Sequence, residues 1–325
     1  MGLANAAIDA VWPTWWSAEA DSSASARAEL RFGIARRLGL DPNSLLDDHH
    51  EPRFLWREEA RYKHLTAEDQ IERAGIESFG HAVASAISGA ITPATGDLNG
   101  RAADDLRSVI LANGSPFVGL GELLALCWGV GIPVVHLRVF PWPQKRMAAM
   151  TVRLAQRSFI LLGKDASYPA PIAFYLAHEL GHIALAHIEA DQALVDMDAG
   201  DPVATASGDD EELAADAYAL ELLTGRAQPV VLPADPATKS AGELARTAIS
   251  AGAELNIEPG TLALCFGYST GDWRTANASM KMIYDAPRPV WEAVNAIAVQ
   301  HLPLSDAPSD SADFLKIVLG RTTGD

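Results

Sequence analysis

Apolar residues recur at helical spacing along most of this chain, and only between residues 132 and 162 does the pattern tighten into short runs rich in branched side chains. Gly121 to Gly131 predicts an apolar helix, and Ile132 to Phe140 then predicts a strand. Met147 to Leu154 and Ser158 to Leu162 predict a hairpin turning at Ala155-Gln156-Arg157. Helical period returns from Ile172 to Ile188 and again from Glu212 to about Leu223. Further helices are expected at Ala241 to Leu255, two or three times within Pro259 to Leu302, and once more, briefly, after a Ser-Asp-Pro linker from Leu304 to Asp313.

Near the start, Ala28 to Leu38 is helical by period. Gly39-Leu40-Asp41-Pro42 reads as a stop, with Asp41 as the N-cap of a short helix over Asn43 to Leu46. Trp12, Trp15 and Trp16 at i, i+3, i+4 read as a packing face. Turn-rich Thr92 to Asp97 and the Pro-rich passage after Gly225 (Pro229, Pro233, Pro236) divide the chain into three expected regions, 1–97, 98–226 and 227–325. The fold class expected is α+β and predominantly helical, a small sheet with its hairpin packed on one central helix between helical N- and C-terminal regions. Asp196 to Asp210, rich in Gly, Ser and Asp, is expected to be a mobile loop able to gate access. There are no internal repeats.

The candidate chemistry sits in the helix after the hairpin. Ala177-His178-Glu179-Leu180-Gly181-His182 is HExxH, the signature of zinc hydrolases with a zincin-type active-site helix. Histidines four apart share a helix face, so His178 and His182 can take two corners of a tetrahedral site for one Zn2+ ion. Glu179 stands one residue round, where it can take a proton from a water at the metal without being a ligand. A third ligand is needed, and Glu212-Leu213-Ala214-Ala215-Asp216 supplies it. Glu212 and Asp216 are again i, i+4: Glu212 completes the ligand set, while Asp216 accepts the free ring N–H of a ligating histidine and fixes its tautomer. The bland alternative is a buried helix with satisfied core histidines and a solvated acidic turn.

These residues, with Ala217-Tyr218-Ala219-Leu220-Glu221-Leu222-Leu223 continuing the second helix, resemble the ImmA/IrrE family of zinc metallopeptidases over about Leu106 to Leu223. Two departures stand out: Asp216 where the family's second motif usually has Asn, and His187 five residues beyond His182, where a family histidine often follows by four. No role is assigned to His187, which reads as a helix-end or surface residue. The resemblance implies an endopeptidase acting on a protein substrate, a helix-turn-helix repressor, in stress or mobile-element regulation. The Leu-Gly-Leu-Asp-Pro-x-x-Leu-Leu segment from Leu38 resembles the closing helices of repressor-type helix-turn-helix domains, without a recognition helix before it. Two rivals are a regulatory or toxin-antitoxin module that binds without cutting, and a DNA-binding regulator with a peptidase-derived sensor half.

Charge bears on the last of these. Across 325 residues the formal net charge is −17, which repels nucleic acid. The only basic candidate, Arg27 to Lys63, sets eight basic side chains, Arg36 and Arg37 among them, against seven acids, too balanced for phosphate-driven binding. DNA binding is therefore not expected. Leu123 to Val135, the longest apolar run, is too short to span a membrane and holds Gly129, Gly131 and Pro133. Asp9 and Pro13 interrupt any signal peptide, and Ala6 stands where myristoylation prefers Ser or Thr. Cys127 and Cys265 read as buried free thiols, so a reducing cytoplasm is expected. His49-His50 reads as solvated loop, His136 as a hydrogen-bonded core residue, Tyr175 and Tyr218 as packing, and Lys145-Arg146 as an exposed turn.

Overall fold

The computed structural model describes residues 2–46, 51–56, 67–92, 96–143, 147–197, 210–232, 240–305 and 309–321. His49-His50, Lys145-Arg146, Arg57, Arg61, Lys63, Pro233 and Pro236 lie outside the described residues, as does most of the expected gating loop. The chain is α+β and mostly helical around one small mixed sheet. In order it runs α1 (Asn5–Val11), α2 (Ala18–Asp21), α3 (Ala24–Leu38), a 3-10 turn (Pro42–Leu45), α4 (Ala67–Ala90), α5 (Ala103–Ala112) and α6 (Leu120–Gly129). Strands β1 (Val134–His136), β2 (Met147–Leu154) and β3 (Arg157–Leu162) follow, then α7 (Pro169–Ala184), β4 (Ala193–Met197) and α8 (Asp210–Thr224). The chain closes with α9 (Ala241–Leu255), α10 (Pro259–Thr270), α11 (Trp273–Ile283), α12 (Val290–His301) and α13 (Ser309–Val318).

The sheet order is β1-β3-β2-β4, with β1 parallel to β3 and the other pairs antiparallel. Both hairpin strands are therefore central, and β4 forms an edge that periodicity did not reveal. Four of its five residues are apolar, but among the described side chains only Ala193 and Val195 are buried, too short an alternation to mark a strand by period. The strand expected over Ile132 to Phe140 shrinks to three residues, because beyond it Arg138 donates its backbone N–H to the Val318 carbonyl and the chain leaves the sheet. The last helix opens at Ser309, inside the span read as linker.

Strand alternation splits the core into two layers. Met150, Val152, Phe159 and Leu161 face α4, together with residues of α1, α3, α12 and α13. Ala149, Ile160 and Leu162 face α6, α7 and α8. A third cluster joins α9, α10 and α11 to Ala170 and Leu220 at the flank of the α7–α8 pair. The first layer thus draws on all three expected regions of the chain.

Local signals account for the N-terminal elements. Gly39 ends α3 in the left-handed region at φ 67°, and the Asp41 side chain caps the 3-10 turn by accepting from Asn43 N–H, as its spacing predicts. Arg37 is buried, donating to the Val11 carbonyl and pairing with Asp310 at 3.1 Å, so it serves packing. Trp16 meets Trp12 and Trp15 edge-on at 6.3 and 5.8 Å, yet Trp12 and Trp15 stay exposed, so this face is not a buried one. No helix among the described residues is long and apolar enough to cross a membrane.

Candidate metal centre

Helix α7 starts from Tyr168 with prolines at 169 and 171, and from Ala170 almost every residue is buried. The helix lies between the sheet and α8, so its polar side chains must find partners in the interior. Gly181 sets the separation. A Cβ there would sit 3.1 Å from the Cα and carbonyl oxygen of Ala215, and 3.2 Å from the Tyr218 Cβ, so a glycine facing an alanine lets the two helices approach closely. That approach carries Glu212, one turn before Ala215, over the two histidines.

The three expected ligands converge. His178 Nε2 lies 2.9 Å from His182 Nε2 and 3.2 Å from Glu212 Oε2, and His182 Nε2 lies 3.7 Å from Glu212 Oε1. Ligands of a tetrahedral zinc at about 2.0–2.1 Å lie roughly 3.3 Å apart, a value these distances bracket. The ligand atoms of His178, His182 and Glu212 form a group able to hold a metal ion, and no other such group of His, Cys, Asp and Glu occurs among the described residues.

Hydrogen bonds behind the histidines support this reading. His178 Nδ1 lies 2.8 Å from Asp216 Oδ1, so the ring N–H points at the carboxylate and leaves the Nε2 lone pair facing the group. His182 Nδ1 lies 2.9 Å from His187 Nδ1. With one shared proton on the His182 side, His187 accepts it and both Nε2 lone pairs point inward beside a carboxylate. Two lone pairs at 2.9 Å repel unless a proton or a metal ion stands between them, and the neighbouring Glu212 carboxylate favours either cation. The residues therefore fit a divalent ion.

His187 is a correction to the sequence reading. After α7 ends, Ala186 turns at φ 59°, and the His187 N–H bonds to the His182 carbonyl at 3.0 Å, folding its ring back against its neighbour. It is half-buried and holds the place beside His182 that Asp216 holds beside His178.

Electrostatics follow from this arrangement. At His178, burial opposes the charged form, but the bonds from Asp216 and Glu212 prevail and raise its pKa to about 10 in the metal-free site. His182, fully buried, is shifted down by desolvation. Glu212 is held well below the ordinary carboxylate range by its bonds to His178 and His182. A bound cation would take over the role of the His178 proton, because metal and proton compete for one Nε2.

Glu179 is wholly buried beside them. Thr151 of β2 donates to its Oε2 at 2.5 Å, while Oε1 is buried with no hydrogen-bond partner. Burial pushes this carboxyl up to about 8, with the His178 charge and the Thr151 bond pulling the other way. A divalent ion pulls in the same downward direction and so favours the ionised base. Sequence reasoning missed Thr151, which only the strand register brings onto the α7 face.

None of the remaining candidates belongs to the group of ligand atoms. Tyr218 donates its hydroxyl to the Arg101 carbonyl at 2.9 Å, a packing role, while Tyr175 is half-exposed with its ring 6.4 Å from Phe174. His136 is fully buried between the carbonyls of Lys164 and Leu137, as its apolar surroundings suggest. Cys127 and Cys265 are buried free thiols, both shifted up by burial. No family model, curated protein or solved structure matches the chain.

Proposed function

We propose that the chain is a zinc-dependent endopeptidase of the ImmA/IrrE kind, with α7 as a zincin-type active-site helix packed on the sheet. One observation carries the reading. Two imidazoles and a carboxylate from separate helices meet at zinc-ligand spacing, beside a buried glutamate with one uncommitted oxygen.

His178, His182 and Glu212 would hold the ion, with Asp216 and His187 fixing the two imidazole tautomers. When bound, zinc supplies Lewis acidity, lowering the pKa of water and polarising a carbonyl. Three protein ligands, one fewer than a structural zinc site uses, would suit catalytic zinc. Glu179, aimed by Thr151, accepts the proton of the attacking water on Oε1 and returns it to the departing amine nitrogen. The interior position of Glu179 keeps bulk water from competing for that proton. A helix-turn-helix repressor is the substrate proposed, on the strength of the resemblance alone. The experiment is to incubate the zinc-loaded chain, and its Glu179→Gln variant, with repressors encoded beside its gene and to sequence any new termini. Cleavage by the parent and at least a 100-fold loss in the variant, at equal zinc content, is expected. Substrate captured but uncut by the parent would favour a module that binds without cutting.

A further inference from the structure

The metal-facing stripe of α7 extends one turn beyond His178. Phe174 lies four residues before it, as His182 lies four after, so the three share one helix face. The Phe174 ring is half-buried, with its centroid 6.5 Å from that of His178. Two rings from the C-terminal helices continue the row. Tyr268 of α10 lies 5.6 Å from Phe174, and Trp273 of α11 meets Tyr268 edge-on at 4.8 Å.

This row is built rather than incidental. Gly267 lets the indole lie on the α10 backbone, because a Cβ there would come within 2.7 Å of the Trp273 ring. The Trp273 Nε1 is shielded from solvent and has no hydrogen-bond partner, leaving the wall with an uncommitted donor. Tyr268 keeps 37% of its surface exposed, one ring removed from His178 through Phe174. Burial first, then the charge of Asp216, raises its pKa, so the phenol is neutral and the wall carries no formal charge. Of the three rings only Phe174 touches a ligand, at the His178 ring, and none supplies a ligand atom.

We propose that Phe174, Tyr268 and Trp273 form a subsite adjoining the metal that receives a large apolar side chain, above all an aromatic one, of the residue next to the scissile bond. This inference rests on the zinc-peptidase reading and gives it a substrate class. Edge-to-face and offset packing against three rings selects an aromatic group over a short or charged one. The C-terminal helices thereby become part of substrate selection instead of an appendage. Burying one phenyl ring at such a wall corresponds to roughly 10- to 100-fold in affinity.

The test uses the zinc-loaded full chain and two hydroxamates in calorimetric titrations. Acetohydroxamic acid reports the metal alone, and 3-phenylpropanohydroxamic acid adds one benzyl arm. Both should bind, the phenyl compound roughly 10- to 100-fold more tightly. Tyr268→Ala should remove most of that preference and leave acetohydroxamic acid unaffected, and Tyr268→Phe should retain it. Equal affinity of the two compounds for the parent chain would overturn the subsite and leave the zinc reading standing. A preference that persists through Tyr268→Ala and Trp273→Ala would overturn the assignment to these rings. Failure of both compounds to bind the zinc-loaded chain would overturn the subsite together with the reading beneath it.

Discussion

Two helices flank the sheet on opposite faces, and each carries a buried histidine. On α4, His81 is 3% exposed; on α7, His178 is 5% exposed. Both helices press closely on their neighbours through a glycine, Gly80 against Met150 and Gly181 against Ala215. Their histidines nevertheless shift in opposite directions. His81 stacks on Trp56 at 3.8 Å, its Nδ1 has no partner, and burial lowers its pKa to about 4 despite the distant charge of Asp191. His178 sits between Asp216 and Glu212 and is raised to about 10 against the same burial penalty. Burial alone makes a core histidine, and what distinguishes a site is the acidic partners that a second helix brings to it.

Removing the second helix's contribution should have the largest effect. Glu212→Ala should lower zinc affinity beyond the roughly 10- to 100-fold expected of outer hydrogen-bond partners, with the far-UV circular dichroism unchanged. If α8 contributes no ligand, a chelator competition assay would show little difference.

The core histidine gives the next effect. The unfolded chain takes up a proton on His81 near pH 6.5 and the folded chain only near 4, so its contribution is fully present above 6.5 and is lost as pH falls toward 4. The loss is about 3 kcal/mol by pH 4, at about 1.4 kcal/mol per unit. His81→Leu should flatten the acid side of a urea-denaturation stability profile over that window. His178 has the opposite sign: in the metal-free chain its stabilisation is complete below about pH 6.5 and disappears as pH rises through about 10.

Outer partners come third. Asp216→Ala and His187→Ala should each weaken zinc roughly 10- to 100-fold, and His187→Asn, which restores an acceptor, should recover part of it. The smallest change is Thr151→Val, expected to lower kcat about tenfold at constant zinc affinity, because it removes only the bond that aims Glu179.

The same comparison shows what could be read from the sequence. His178 with His182, and Glu212 with Asp216, are each i, i+4, and a helix of fixed pitch turns that spacing into a shared face without further information. Asp41 and Gly39 were legible for the same reason, since caps and left-handed stops are local. Thr151, which reaches Glu179, and Tyr268, which reaches Phe174, were not, because each comes from another element and only strand register or helix packing brings it there. Edge strand β4 escaped notice because five residues beside an acidic, glycine-rich stretch carry almost no period. His187 escaped because a reversal at Ala186, a residue with no preference for positive φ, turns it back.

X-ray absorption at the zinc edge tests the central claim most directly. One equivalent of zinc should show two imidazole nitrogens at about 2.0–2.1 Å and carboxylate and water oxygens at about 2.0–2.2 Å. The imidazole scattering should be lost in the His178→Ala, His182→Ala double variant. Zinc that binds with no imidazole in its shell, or equally well to the double variant, would contradict the claim that these two helices were brought together to hold a metal.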